Sequence, residues 1–308
     1  FMWPAWLLAL WTLWRWRHHL QHRHVSVPLV VAGVALASSF VMGGSDRALL
    51  LGLPGLAVLA AFALPTLHRY FKLRQKLLKL PDLHYYDVYP NLVPASRSYP
   101  IQDAVTITLE AMQPMGEEYM GLLRQALSMR TMHVLPAEGK QSGAYQTGVY
   151  GVAPFVFLNH QNNYESLTTF AHEWGHGMHS ILSQRAQPYE TAGYPLFLAE
   201  IASTTNEVLL TDHMLKAART PEEKVFVLTH VLERLRASFF RQTMFAEFEL
   251  QAHDAQQRGE ALSGKKFTDI YCKLLRKYHG ADVGVMTIDP QYCQEWSYIP
   301  HFHRPFYV

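Results

Sequence analysis

A His-Glu-x-x-His motif constrains this chain more than any other feature of its 308 residues. The motif runs from His172 to His176, inside the stretch Ala171 to His179. On a helix, residues four positions apart lie on one face about one turn apart, so the two histidines can bind one metal ion. Glu173 lies at the flank of that face, where its carboxylate can act on water as a general base. The motif therefore predicts a helix here and a zinc site with hydrolytic geometry, with one Zn²⁺ per chain.

A third zinc ligand must come from outside the motif, because catalytic zinc usually has three protein ligands. Glu200 is the best candidate, since the 24 residues after His176 let the helix end and a second helix return beside it. From spacing alone, an ordinary exposed helical glutamate is an equally good interpretation. Glu207 lies two turns further on and could orient a ligand. His179 lies roughly 10 Å along the helix from His172, too far to share its ion, so we expect it to support the site or contact substrate.

The chain beyond residue 67 has the pattern of a mainly α-helical protein. The stretch 139–154 holds four glycines and is predicted to be a mobile loop, and Phe155 to Leu158 is the best strand candidate. Helices are expected at 67–80, twice between 101 and 130 with a break at Pro114, from about 163 to 183, and at about 196–215, 221–258 and 266–279.

The segment 1–66 differs from the rest because it is strongly apolar. Its runs 25–42 and 48–66 are each close to the roughly 20 residues that cross a bilayer. Basic residues flank both outer ends, which predicts a transmembrane helical hairpin with both ends in the cytoplasm. We therefore expect membrane association through residues 25–67 and a cytoplasmic catalytic domain over 67–308. The alternative is that this segment is not native to the protein, since the chain begins with Phe1.

The cysteine content and the net charge exclude few classes of protein. Cys272 and Cys293 match no zinc-binding or Cys-x-x-Cys spacing, and we expect two reduced thiols in a cytosolic domain. A net charge of +2 gives no argument for nucleic acid, and we expect no nucleic-acid partner.

From about residue 67 to its end, the chain resembles the C-terminal catalytic part of oligoendopeptidase F, a relative of thimet oligopeptidase. The resemblance implies a zincin-like helical metallopeptidase domain with a small edge β-sheet, acting on short peptides. It also implies that His172, His176 and Glu200 bind zinc and that Glu173 is the base. The matching pieces are Leu67–Phe71, Leu83–Asp87, Ser142–Tyr145, His172–His179, Ala199–Glu207, Phe240–Glu249 and Ile299–Phe302.

The resemblance further implies that side chains near the C-terminus bind substrate and stabilise the oxyanion. His301, His303 and Tyr307 are the candidates, with Tyr298 as a weaker substrate-binding candidate. Hydrogen-bond donors aimed at the developing charge are typically worth about 3 kcal/mol each. The chain departs from the family where His303 stands in place of a tyrosine. It also stops at Val308, where relatives continue, so we expect a truncated domain.

Peptide is expected to add as an extra strand along Phe155 to Asn159, with Phe155, Phe157 and Asn159 contacting it. Two alternative functions were also considered for the chain. A membrane-embedded protease is disfavoured, because residues 162–169 before the motif are too polar for lipid. The stronger alternative is a zinc-binding but inactive truncated module tethered to a membrane.

Overall fold

The computed structural model describes residues 53–94 and 97–307. Helices dominate this part of the chain, and three short strands form one sheet. The strands are β1 (Met132–His133), β2 (Tyr145–Thr147) and β3 (Phe155–Phe157). The helices are α1 (Leu53–Leu78), α2 (Ile101–Ala111), α3 (Glu117–Ser128), α4 (Tyr164–Ala186), α5 (Leu196–Ala217), α6 (Pro221–Arg234), α7 (Gln242–Gln257) and α8 (Gly264–His279).

Most of the predicted helices are confirmed, with two differences in how they join. The single helix predicted at 221–258 contains a π-helical segment, Leu235–Arg241, between α6 and α7. The helix predicted at 67–80 is the end of α1, which begins inside the apolar run. The change from apolar to basic residues near 67 does not stop the helix.

The predicted transmembrane hairpin lies mostly outside the described residues. The run 25–42 and residues 48–52 lie outside the described residues, and residues 53–66 lie in α1. Across 53–94 and 97–307, no helix combines the length and the hydropathy that a bilayer crossing needs.

The chain divides into two compact units. The described part of one unit comprises residues 53–92 and 232–307. Its core is built mainly from α1, the π-helical segment, α7 and α8, and the 3₁₀ helix Pro290–Tyr298 packs partly buried side chains against it. A partly buried ion pair lies in this unit, where Nη2 of Arg241 is 2.6 Å from Oε1 of the buried Glu295. The Glu295 carboxylate also accepts hydrogen bonds from the hydroxyls of Tyr85 and Tyr271, so its charge is fully paired.

A disulfide joins α8 to the 3₁₀ helix in the same unit, between Cys272 and Cys293. The prediction of two reduced thiols is therefore wrong. The two Cα atoms lie 4.5 Å apart, within the usual range for a disulfide, because the 3₁₀ helix packs along α8. A separation of 21 residues in the sequence gives no indication of that packing.

The second unit, Val93–Val231, contains the sheet and the motif helix α4. The strand order is β1-β3-β2, with β3 parallel to β1 and antiparallel to β2. Because β3 is paired on both sides, the predicted addition of peptide along Phe155 to Asn159 is wrong. The loop prediction for 139–154 missed β2, which lies within that stretch and forms one edge of the sheet.

Candidate functional site

The helix that carries the motif begins where its sequence allows a cap. Oδ1 of Asn163 accepts a hydrogen bond of 2.8 Å from the backbone N–H of Ser166, and α4 continues to Ala186. His172 and His176 lie one turn apart on this helix, and their Nε2 atoms are 3.2 Å apart. The four-residue spacing therefore brings the two imidazoles together as predicted.

Glu200 of α5 completes a cluster of three ligand atoms. Its Oε2 lies 3.4 Å from Nε2 of His172 and 3.6 Å from Nε2 of His176. Tetrahedral zinc bonds of about 2.1 Å place neighbouring ligand atoms about 3.4 Å apart. The chemistry of the three ligand atoms and the distances between them therefore fit a zinc ion. The position of Glu200 in the sequence, by contrast, did not decide whether it binds metal.

Close packing of α4 on α5 positions this glutamate. Gly175 makes it possible, because a Cβ atom there would lie 2.6 Å from Cα of Ser203. The Ser203 hydroxyl donates a 2.7 Å hydrogen bond to Oε2 of Glu200, and Nδ2 of Asn206 donates one of 3.0 Å to the backbone oxygen of Ala171. The buried bond from Asn206 joins α5 to α4, and the bond from Ser203, within α5, orients the Glu200 carboxylate.

Glu207 holds the His172 imidazole from its other side. Its Oε1 lies 2.6 Å from Nδ1 of His172, which therefore donates to the carboxylate and leaves Nε2 facing the cluster. Burial acts to lower the pKa of His172, but the hydrogen bond and charge of Glu207, with the charge of Glu200, raise it to about 9. Metal binding at Nε2 must compete with that proton.

Glu173 is buried beside the cluster and only 6% exposed. Burial raises its pKa to about 7, against the lowering effects of His172 and of a backbone hydrogen bond from Gln146 in β2. Its Oε2 has no hydrogen-bond partner among the described residues. A buried carboxylate oxygen without a partner is costly, so this atom marks a place where a water molecule or substrate group belongs.

His179 lies outside the cluster, as its distance along the helix predicted. Its ring stacks on Tyr194, with centroids 3.7 Å apart. The Tyr194 hydroxyl lies 2.8 Å from Oγ of Ser180, which in turn donates to the side chain of Gln146. Tyr194 and Gln146 were not predicted from the sequence. The only signal for Gln146 was its position directly after Ser142–Tyr145, a stretch that resembles oligoendopeptidase F.

The candidates near the C-terminus belong to the other unit. Nδ1 of His301 is hydrogen-bonded to the hydroxyl of Tyr307. His303 is exposed, with its Nε2 3.3 Å from the backbone oxygen of Ser297. Tyr298 is 66% exposed, and its hydroxyl donates to Glu295. The structure thus brings His301 and Tyr307 together, and the catalytic roles of these side chains stay predictions.

Curated proteins resemble this chain in sequence, and a solved structure resembles it in sequence and fold. The oligopeptidase PepF of Bacillus subtilis (strain 168) is 42% identical over 246 residues, which cover 80% of this chain and 36% of that protein. The oligoendopeptidase F homolog of Lactococcus lactis subsp. lactis is 40% identical, over 80% of this chain and 40% of that protein. The crystal structure of oligoendopeptidase-F from Enterococcus faecium matches with a TM-score of 0.55 and 33% identity, over 82% of this chain and 37% of that chain.

The chain thus spans roughly two fifths of the length of the curated relatives that it matches, 36% of one and 40% of the other. The profile of peptidase family M3 matches residues 55–308, which include the whole cluster. The resemblance to oligoendopeptidase F is confirmed by these matches, and the chain belongs to peptidase family M3.

Proposed function

We propose that this chain is a zinc metalloendopeptidase that hydrolyses peptide bonds in short peptides, with His172, His176 and Glu200 as the ligands of one zinc ion. The observation that carries the proposal is the cluster of their three ligand atoms, spaced 3.2, 3.4 and 3.6 Å apart. Membership of peptidase family M3 and the names of the relatives, an oligopeptidase and an oligoendopeptidase, support the reaction and the substrate class.

Glu173 is the proposed general base. When bound, Zn²⁺ would supply Lewis acidity toward the peptide carbonyl and toward water. The Glu173 carboxylate takes a proton from the water that attacks the carbonyl carbon, and then gives that proton to the nitrogen of the departing amine. A pKa of about 7 suits both steps, because the group can accept and release a proton near neutral pH.

The free edge of β2 is the proposed binding site for the substrate backbone. β2 pairs with β3 on one side, and no other strand of the described sheet pairs with its second side. Its central residue, Gln146, is hydrogen-bonded to Glu173 through the backbone. A peptide added there would lie beside the base, and backbone pairing tolerates many side chains. The substrate contacts proposed for Phe155, Phe157 and Asn159 are then made by side chains only.

Metal removal is the direct test of this proposal. Chelation should abolish cleavage of a quenched fluorescent peptide, and about one equivalent of Zn²⁺ per chain should restore it. The stoichiometry is read by mass spectrometry of the metal, and His176→Ala is the variant that should neither bind zinc nor respond. Peptide cleavage that persists in the fully chelated protein would contradict the proposal, and stoichiometric zinc without any turnover would identify an inactive zinc-binding module.

A further inference from the structure

A row of three aromatic rings crosses the sheet, one from each strand. His133 of β1, Phe157 of β3 and Tyr145 of β2 are register partners. The rings of Phe157 and Tyr145 are stacked, with centroids 4.8 Å apart and an angle of 10° between their planes. The His133 ring meets Phe157 edge to face, with centroids 5.9 Å apart. Rings at these distances attract each other across strands, so the row is a continuous aromatic surface.

The row lies on the face of the sheet that is open to solvent. Side chains along a strand alternate between two faces. One face is closed, because Val156 is fully buried and the side chain of Gln146 accepts a hydrogen bond from Ser180 in α4. Tyr145 lies on the opposite face, where 48% of it is exposed. Part of its ring is therefore available to a ligand.

Tyr145 ends the row at the free edge of β2, next to Gln146. The Phe157 ring covers it from the side of β3, and no strand of the described sheet lies on its other side. A peptide paired with this edge, whichever way it runs, has one residue opposite Tyr145 and on the same face. Directly opposite side chains have Cβ atoms about 5 Å apart, close enough for two rings to touch. Because the backbone of Gln146 is hydrogen-bonded to Glu173, this peptide residue is one position from the residue beside the base.

The one cation on the row does not attract an acidic side chain to this place. Nζ of Lys140 lies 4.5 Å from the centroid of the Phe157 ring. An ammonium group has three protons to donate, and this one donates to three backbone oxygens, those of His133, Leu135 and Leu158. Its hydrogen-bonding capacity is therefore used within the protein.

A cationic side chain is disfavoured as well. The face of a tyrosine ring by itself attracts cations. The Lys140 ammonium lies over the neighbouring ring, however, and like charges repel each other. The other side chains on this face of the three strands belong to Thr147 and Phe155, and neither is acidic. An uncharged aromatic ring is the side chain that this surface fits best.

We propose that Tyr145 is a specificity-determining residue, which selects an aromatic side chain at the peptide position opposite it. That position is next to the residue beside Glu173, and the bound ring extends the row by one place. The inference rests on the proposed function, which places the peptide on the edge of β2. Cross-strand aromatic pairs stabilise a sheet modestly relative to alanine, so the expected preference in binding is about fivefold.

The test uses fluorescent peptides that differ at one position, which carries phenylalanine, alanine or lysine and is moved stepwise along the sequence. Binding is measured by anisotropy on the full chain with the metal chelated, so no turnover is needed. The wild-type chain should bind the phenylalanine peptide about fivefold more tightly than the other two at one position. Tyr145→Thr should lose this preference, because threonine keeps the strand propensity but has no ring. Tyr145→Phe should keep it.

The matched control is Tyr189→Ala, which should also keep the preference. Tyr189 is 71% exposed in the same unit but lies outside the three strands. Equal binding of the phenylalanine and alanine peptides at every position would overturn the proposal, as would a preference that survives in Tyr145→Thr. Tighter binding of the lysine peptide, or failure to bind any peptide, would overturn it as well.

Cleavage assays on the zinc-loaded chain separate this proposal from the proposed function. A preference that depends on Tyr145 without any cleavage supports the role of Tyr145 and removes the proposed function. Cleavage without a preference does the reverse.

Discussion

Replacing Glu173 with glutamine should lower kcat/KM for a short peptide by about a thousandfold while leaving zinc bound. The amide keeps the shape of the side chain but cannot take a proton from water. The substitution alters none of the proposed zinc ligands, because the clustered ligand atoms belong to His172, His176 and Glu200. The measurements are peptide cleavage under zinc saturation and metal content per chain.

The control for this variant is Glu138→Gln, in an exposed loop of the same unit, which should keep full activity. Two results would count against the role of Glu173. One is a variant that cleaves peptide at the wild-type rate, which would leave the base without a function. The other is loss of zinc together with activity, which would assign Glu173 to metal binding.

The sequence predicted the parts of the site that depend on local geometry. His172 and His176 needed only the helical period, and Glu173 followed from its position between them. Glu200 was undecided from spacing, because its approach depends on α5 packing against α4, which no local pattern reports. The resemblance to a family assigned it to the metal, and the structure places its carboxylate oxygen 3.4 and 3.6 Å from the two imidazole nitrogens.

What the sequence missed depends on pairing between distant segments. The strand β2 is three residues long and lies in a glycine-rich stretch, so its pattern is too short to recognise. Without it, β3 looked like a free edge and Gln146 had no visible link to Glu173. The disulfide between Cys272 and Cys293 was missed for the same physical reason, since the packing of two segments decides which sulfur atoms meet.

Gly175→Ala should separate the two helices that hold the site. The new Cβ atom would lie 2.6 Å from Cα of Ser203 and 2.8 Å from the backbone oxygen of Ala202. Both are backbone atoms, so no side-chain rotation can relieve the clash, and α5 must move. Overpacking of this kind costs about 3 kcal/mol of unfolding free energy, whereas the helix propensity gained from alanine is about 1 kcal/mol. The cost of the clash therefore exceeds the gain in helix propensity, and the variant should be less stable than the wild-type chain.

The same movement should weaken zinc binding, because Glu200 lies one turn before Ser203 on the helix that is displaced. We expect at least a tenfold loss of zinc affinity, measured by competition with a chromogenic chelator, together with a lower midpoint in urea. The matched control is Gly121→Ala in α3, where no atom lies within 4 Å of the added Cβ. That substitution should stabilise the chain by about 0.5–1 kcal/mol and leave zinc affinity unchanged. If both alanine variants behaved alike, close contact between α4 and α5 would not be what positions Glu200.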